Sequence, residues 1–540
     1  MSKKLVLGVV VLIAVSAVAG GLVGKVRPTT ADASLTPARI AADYNEALSV
    51  INENYAGKVN HEELSEKSIQ TMLWTLDPHS SFFTAEEFRK LFEDQRSQFF
   101  GIGVSIFQHR DGVYIQSIIP GTPADKAGMR YGDRFIEVDG KDAREWSSSE
   151  VSKNVRGVQG TSVNVKIERV GSDKPVEYTI VRGGVPLPSI RNYFMLRDGI
   201  GYVGLSNGFQ ETTSAELDEA IAQLSKLGMK SLILDLRNNP GGLLPQAIEV
   251  VSRFVPEKKT VVSVKGRSRY ANSQELATEG GQVHDFPLVV MINGGSASAS
   301  EIVAGAVQDY RRGVIVGSDS FGKGLVQRIF QLPYGTGLTL TMARYYTPLG
   351  RSLQRDYSSG SIYDYYTHNG DGETDDVPED SKPKPVGSPV TAPDGRTLYG
   401  GRGIEPDIKS KPLVFNALRG RINEAAFYFA RQLVAGEVKG FEDLKRPKQT
   451  FVTSIAPTDL IVSEQLFAAF RAFTAADPKN GLKPENIDSQ ADYARTRLRQ
   501  ELATASYSSE AGTQVFLEID PQILKAIEAM NEAKTLVAKP

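Results

Sequence analysis

An α/β core preceded by a smaller β-rich module, with helical segments at both ends, is the architecture expected of this 540-residue chain. Apolar residues recur at helical spacing across residues 35–97, at alternate positions in short runs across 98–184, and in alternating strand-like and helix-like blocks across 185–411. Beyond that, residues 412–540 are helical in pattern and highly charged, with no constellation that points to chemistry. With 41% hydrophobic and 23% charged residues the composition is that of a globular protein, which excludes a disordered or fibrous chain. Lys+Arg 62 against Asp+Glu 64 leaves a net charge of -2, so no overall basic field points to nucleic acid as a partner. The absence of cysteine removes disulfides, thiolate metal sites and a thiol nucleophile. A nucleophile must then be Ser, Thr, Lys or a carboxylate.

At the N-terminus, Lys3 and Lys4 precede an apolar run over residues 5–23, and the chain turns polar at Lys25. Residues 1–34 therefore read as an export signal, either cleaved at Ala17-Val-Ala19 or Ala31-Asp-Ala33 or kept as a membrane anchor through 5–23. The expected location is the cell envelope, periplasmic or on the outer face of the cytoplasmic membrane. In 35–97, Ala47, Val50 and Ile51, then Ile69, Met72 and Leu73, fall at i, i+3, i+4 spacing. The β-rich module is expected to hold strands at 103–107, 113–118, 134–138, 163–168 and 176–181, with helices at 123–127 and 148–155. In the α/β block a strand at 200–205 leads to a helix at 213–227. Thr213-Ser-Ala-Glu216 reads as its capping box, Leu217, Ile221 and Leu224 as its buried stripe, and Gly228 as its stop. A strand at 231–236 completes a β-α-β crossover, followed by helix 244–254, strand 287–293, helix 298–309 and strand 314–317. Residues 357–393 read as a long loop. Within it Asn369-Gly-Asp-Gly-Glu-Thr-Asp-Asp376 has a calcium-like charge pattern, but its glycines miss the calcium-loop position, so no metal is expected.

Four glycine-rich turns could carry chemistry. Gly294-Gly-Ser-Ala-Ser-Ala-Ser-Glu301 joins a strand to a helix, placing Ser296, Ser298 and Ser300 beside the free N–H groups of a helix start. One of them could attack a carbonyl whose oxyanion those groups would hold, or simply cap the helix; spacing does not choose among the three. Ser320-Phe-Gly-Lys-Gly-Leu-Val-Gln327 offers Lys323 as a base, if burial lowers its pKa, or as an ordinary surface lysine. The phosphate-loop reading of residues 317–323 lacks the Ser or Thr that should follow Lys323, because residue 324 is Gly. Asp235-Leu-Arg-Asn-Asn-Pro-Gly-Gly242 could expose further backbone donors or be a tight connection, and Phe100-Gly-Ile-Gly103 could form a carboxylate nest beside a strand edge or a plain strand entry.

In this order, together with Leu76-Asp-Pro-His-Ser-Ser-Phe82, Pro120-Gly-Thr-Pro-Ala124, Ala127-Gly128 through Gly132-Asp133, and Gly403-Ile-Glu-Pro-Asp407, these motifs make residues 36–410 resemble the carboxy-terminal processing (tail-specific) proteases. These are exported serine peptidases with an inserted PDZ domain. The resemblance implies a serine protease core of the crotonase/Clp-protease-like α/β fold at 185–411, a PDZ domain at 98–184, an N-terminal helical segment and a C-terminal helical extension. It implies Ser298 as nucleophile, Lys323 as general base and Gln327 as the residue that positions the lysine. The backbone N–H groups of Ala299 and Gly242 would form the oxyanion hole. Phe100, Gly101, Ile102 and Gly103 would receive an apolar C-terminal tail, and Arg156 would dock the PDZ domain. No cofactor is implied, and the expected partners are protein substrates with flexible, apolar C-termini. A homo-oligomer or an adaptor is left open. The competing reading, a catalytically inactive PDZ-containing scaffold of the envelope, has no need of Ser298, Lys323 and Gln327 together.

Overall fold

The structure, a computed structural model, describes residues 36–537 except 96, 268–273, 359–364 and 366–386. The expected export segment 1–34, with its apolar run 5–23, and the stretch 369–376 lie outside the described residues.

The described residues 36–69 belong to a unit of their own. Its helix α1 (Pro37–Asn54) starts where Thr36 Oγ1 accepts the Arg39 N–H and Pro37 presets φ. The helical spacing expected there is realised, but Ile40, Tyr44, Val50 and Ile51 are exposed rather than buried. Helix α2 (His61–Trp74) follows.

In the larger unit, from residue 70, β1 (Ser81–Phe83) and α3 (Ala85–Gln95) lead into the β-rich module. Its elements are β2 (Gln98–Gly101), β3 (Val104–His109), β4 (Gly112–Ile118), α4 (Pro123–Ala127), β5 (Arg134–Val138), β6 (Lys141–Asp142), α5 (Ser148–Val155), β7 (Ser162–Glu168), β8 (Val176–Val181) and β9 (Gly183–Pro186). β3 to β8 make an antiparallel sheet in the order β3-β4-β5-β7-β8, with β3 on an outer edge. Inward residues at every second position of β7, Val163, Val165 and Ile167, pack with Val113, Ile115, Phe135 and, from α5, Val151. β2 does not join that sheet. It pairs with β9, so entry to and exit from the module form one two-stranded link.

The core begins with β10 (Ile190–Met195), β11 (Ile200–Leu205), α6 (Thr213–Lys226), β12 (Ser231–Asp235), α7 (Leu244–Ser252), β13 (Thr260–Gly266), β14 (Gln274–Ala277) and β15 (Leu288–Ile292). It continues with α8 (Ala299–Asp309), β16 (Val314–Gly317), β17 (Leu325–Gln331), β18 (Gly337–Tyr346), β19 (Val390–Thr391), β20 (Thr397–Leu398) and β21 (Ile408–Lys409). The central sheet runs β10-β11-β12-β15-β16-β21 and is parallel apart from β10. Its inner strands β11, β12, β15 and β16 are buried on both faces, as a parallel sheet requires. One face, with Val203, Leu232, Leu234, Val290 and Ile315, is covered by α6, α7 and α8. The expected capping box at Thr213 is not formed. Thr213 Oγ1 accepts the Gln210 N–H, while the Glu216 carboxylate accepts from Thr212 Oγ1 and from the Ile190 N–H at the start of β10, so other donors take the groups the expected cap would have used. A second sheet, β1-β18-β13-β14 with β17 on β18, has no counterpart in the sequence reading. Its exposed face weakens the alternation that would have revealed it.

The C-terminal helices are α9 (Ala417–Ala435), α10 (Glu464–Ala476), α11 (Pro484–Asp488), α12 (Ala491–Ser506), α13 (Ser509–Leu517) and α14 (Pro521–Val537). They have two packing roles. Ile523, Ala526, Ala529, Met530 and Ala533 of α14 cover the second face of the central sheet, against Ile233, Val289, Met291 and Val316. Helices α9 and α12 hold the β-rich module: Tyr131 and Gln116 donate to Glu501 Oε2 at 2.7 and 2.9 Å, Arg431 Nε donates to the Gly132 carbonyl at 2.8 Å, and His109 stacks on Phe427.

Candidate active site

β15 ends at Ile292 and α8 begins at Ala299, so the serine turn lies at the C-terminal end of a central strand. The structure separates its three serines. Ser296 Oγ donates to the Leu236 carbonyl and Ser300 Oγ to the Asn239 carbonyl, both fully buried. Ser298, half-buried at the N-cap, has φ 56° and ψ -113°, a strained conformation for a residue with a Cβ. Its Oγ leaves the backbone unbonded and meets Tyr345 OH at 2.7 Å.

The turn after β12 lies directly against it. Asn239, fully buried, donates Nδ2 to the Leu205 carbonyl and accepts the Gly241 N–H on Oδ1, while its carbonyl takes the Ala297 N–H. Gly241 has φ 99°, and a Cβ there would sit 2.6 Å from Ser298 Cβ and 3.0 Å from Ala299 N. Only glycine lets the two turns approach this closely. With Gly241 N–H committed to Asn239, the N–H groups of Gly242 and Ala299 are the ones that have no acceptor among the described residues.

Lys323 lies between Gly322 and Gly324, just before β17. Its Nζ donates to Gln327 Oε1 at 3.0 Å. A register shift in β17 between Val326 and Gln327 aims that amide, and Gln327 Nε2 donates to the main-chain carbonyl of His79. Here the Leu76-to-Phe82 motif enters the site. Asp77 gathers the His79 and Ser80 N–H groups and Ser80 Oγ on its carboxylate, which fixes the carbonyl that holds Gln327. Burial lowers the pKa of Lys323, opposed by the charges of Glu301 and Asp77. Burial, then the Lys323 charge, brings His79 down to about 3, so its imidazole is neutral and its Nε2 pairs with Tyr365 OH at 2.6 Å.

Glu301, fully buried in the first turn of α8, was not singled out in the sequence reading. Its Oε2 accepts the N–H of Ser298 and the N–H of Lys323, each at 2.8 Å, and its Oε1 accepts Ser320 Oγ and the Gly322 N–H. Gly403, with φ 85°, closes over this carboxylate; a Cβ would come within 2.8 Å of Oε1. Ser298 and Lys323 are thus joined through their main chains. Their side chains share no hydrogen bond among the described residues.

In the β-rich module, Phe100 and Gly101 end β2 rather than forming a turn, while Ile102 and Gly103 lie between β2 and β3. The carbonyls of Ile102 and Gly103 accept the Ala124 and Ile119 N–H groups, and their own N–H groups have no acceptor among the described residues. The Arg156 guanidinium lies 4.2 Å from the centre of the Phe99 ring, on the link strand β2. No group of His, Cys, Asp and Glu side chains is placed to hold a metal among the described residues.

Comparison with known proteins defines the class. The model of Peptidase family S41 matches residues 199–366, and that of the PDZ domain residues 90–168. A carboxy-terminal-processing protease of Bartonella bacilliformis is 39% identical over 317 residues, covering 58% of this chain and 72% of that protein. A CtpA-like serine protease of Staphylococcus haemolyticus is 34% identical over 352 residues, covering 65% and 69%. Among solved structures, a photosystem II D1 C-terminal processing protease aligns over 68% of this chain and 86% of its own at 26% identity and a TM-score of 0.35. The matched segments define a serine protease core with a PDZ domain. The chain belongs to the carboxy-terminal processing proteases of peptidase family S41.

Proposed function

We propose that this protease cuts peptide bonds with Ser298 as nucleophile and Lys323 as general base, in exported proteins or tails that its PDZ domain captures at the cell envelope. The observation that carries the reading is the serine turn itself: one hydroxyl of three is kept off the backbone, beside two uncommitted N–H groups. In the reaction, Ser298 Oγ rotates from Tyr345 toward Lys323, whose neutral amine takes its proton as Oγ attacks the peptide carbonyl. The N–H groups of Gly242 and Ala299 hold the resulting oxyanion. Lys323, now an ammonium, passes its proton to the leaving amine, and water then repeats the cycle on the acyl-enzyme. Gln327, held by the His79 carbonyl, keeps Nζ in place between steps.

For tail capture, the outer edge of β3 offers main-chain groups to an extended peptide, and the N–H groups of Ile102 and Gly103 suit its terminal carboxylate. Residues 5–23 would direct the chain out of the cytoplasm, whether removed or kept as an anchor. The test is cleavage of a flexible polypeptide with an apolar C-terminus by the full chain, beside Ser298→Ala and Lys323→Ala, with products read by mass spectrometry. Only the parent should cut, and amidating the substrate's C-terminus should slow it. Cleavage by folded Ser298→Ala would place the nucleophile elsewhere; equal inertness of all three would favour the scaffold reading.

A further inference from the structure

We propose that Glu301 is a positioning residue of the Ser298–Lys323 pair, its single buried carboxylate clamping the nucleophile's turn and the base's loop into one frame. The inference rests on the Ser-Lys reading above and adds a residue to it. Four donors converge on Glu301, and they come from two segments. From the start of its own helix comes the Ser298 N–H, at 2.8 Å from Oε2; from the lysine loop come the Lys323 N–H, at 2.8 Å from the same oxygen, and Ser320 Oγ and the Gly322 N–H, at 2.5 and 2.7 Å from Oε1. An ionised carboxylate has about four lone-pair positions, so this donor set fills it. Burial raises the pKa of Glu301 and the four donors oppose that rise. Ser320 Oγ in turn receives the Ile404 N–H at 2.7 Å, so the loop that leads to β21 backs the clamp.

A helix cap needs one of these four bonds. Capping the first turn of α8 would be satisfied by the contact to Ser298 alone. The other three reach a loop that contributes nothing to the helix but carries the base. A buried charge placed for helix stability alone would be a poor bargain against an apolar residue. The same charge also acts on the chemistry. Lys323 is faced by Glu301 from α8 and by Asp77 from the 76–82 turn, both of which favour its ammonium, while His79, held neutral, feels the lysine's charge and that of Arg355. Removing the Glu301 charge therefore makes Lys323 give up its proton more readily, even as the frame loosens.

The two effects have opposite signatures, which makes the clamp testable in the full chain. In Glu301→Gln one oxygen becomes a donor amide, so one pair of contacts is lost whichever way the amide turns. Displacements of about 1 Å in such a frame lower turnover by about 100-fold. We expect kcat to fall by 10- to 100-fold with KM within about 3-fold of the parent. The rising limb of the pH–rate profile should move to lower pH. In Glu301→Asp, which keeps the charge but withdraws it by one methylene, kcat should fall while the limb stays. Parent-like kcat in both variants overturns the proposal, and so does a limb that moves equally in both or in neither. If Glu301→Gln does not fold, as read by circular dichroism, the Asp variant decides alone: unchanged kcat sinks the clamp. Ser298→Ala is measured in parallel. Should it retain cleavage, the Ser-Lys reading fails; should it be inert while both Glu301 variants match the parent, only the clamp fails.

Discussion

Ser298 Oγ is bonded to Tyr345 OH at 2.7 Å, while Lys323 Nζ, the base proposed for it, is bonded to Gln327. The proposed nucleophile is therefore parked on a buried phenol whose pKa burial pushes up, so the phenol stays protonated. Tyr345→Phe removes the parking partner. A net hydrogen bond is worth about 0.5–1.5 kcal/mol, so single-turnover cleavage should quicken by about 2- to 10-fold. A slower variant would show that the phenol orients Ser298 for attack.

Lys323→Ala should lower turnover by about 1,000-fold or more while leaving the circular dichroism spectrum intact. In the parent, turnover should rise with pH as Lys323 loses its proton, below the pH at which an exposed lysine titrates, because burial lowers its pKa. A profile flat from neutral to alkaline pH would separate turnover from the lysine.

The same shift has a consequence for stability. The folded state holds Lys323 at a lower pKa than the unfolded chain does, so between the two values the unfolded chain binds more protons and stability rises with pH. Lys323→Met, which has no charge to bury, should raise Tm at neutral pH, and the gain should shrink as pH climbs toward that of a free lysine. Calorimetry across pH checks the slope; a constant difference would contradict the assigned shift.

Asn239→Ala deletes the amide that ties the glycine turn to β11 and frees the Gly241 N–H. Leaving these buried groups unpaired should cost about 2–4 kcal/mol in urea unfolding. Turnover should fall in addition, by about 100-fold, because the proposed oxyanion donors lose their fixed spacing. Loss of stability with unaltered turnover in the folded fraction would detach Asn239 from the site.

Glu501→Ala breaks the contacts by which α12 holds Tyr131 and Gln116 of the PDZ domain, and strands Arg497, paired with it at 2.7 Å. Removing one partner of such a buried group should cost about 3–5 kcal/mol. Cleavage of tail-bearing substrates should become more sensitive to temperature than cleavage of short peptides. Identical sensitivity for both would mean that the domain's position does not limit tail delivery.

The parts of the molecule legible in the sequence were those with a single period and a local stop. The crossover from residues 200 to 236 could be read because the apolar stripe on α6 and the continuous apolar runs of β11 and β12 are short-range patterns. β17 and β18 escaped notice because their half-buried residues blur the alternation. Within the site, the glycine turns announced themselves, but the selection of Ser298 did not. That depends on Leu236 and Asn239 carbonyls reaching Ser296 and Ser300 from another turn. Glu301 gave no local signal of its role, since its contacts to the lysine loop span some twenty residues of chain. His79 was quoted within a motif whose use was invisible, because what it contributes is a carbonyl.

The helix that seals the far face of the central sheet is α14, which follows the serine turn, the lysine loop and every strand of that sheet in the chain. A nascent polypeptide that has already released both the serine turn and the lysine loop from the ribosome still presents a sheet with one uncovered apolar side. Domains fold as their segments become available, and this core lacks its closing layer until translation has passed Ala533. A product cut short by a stalled ribosome or a premature stop codon would thus carry every residue of the proposed chemistry and no stable frame to hold it, so incomplete synthesis yields a degradable chain in place of an unregulated hydrolase.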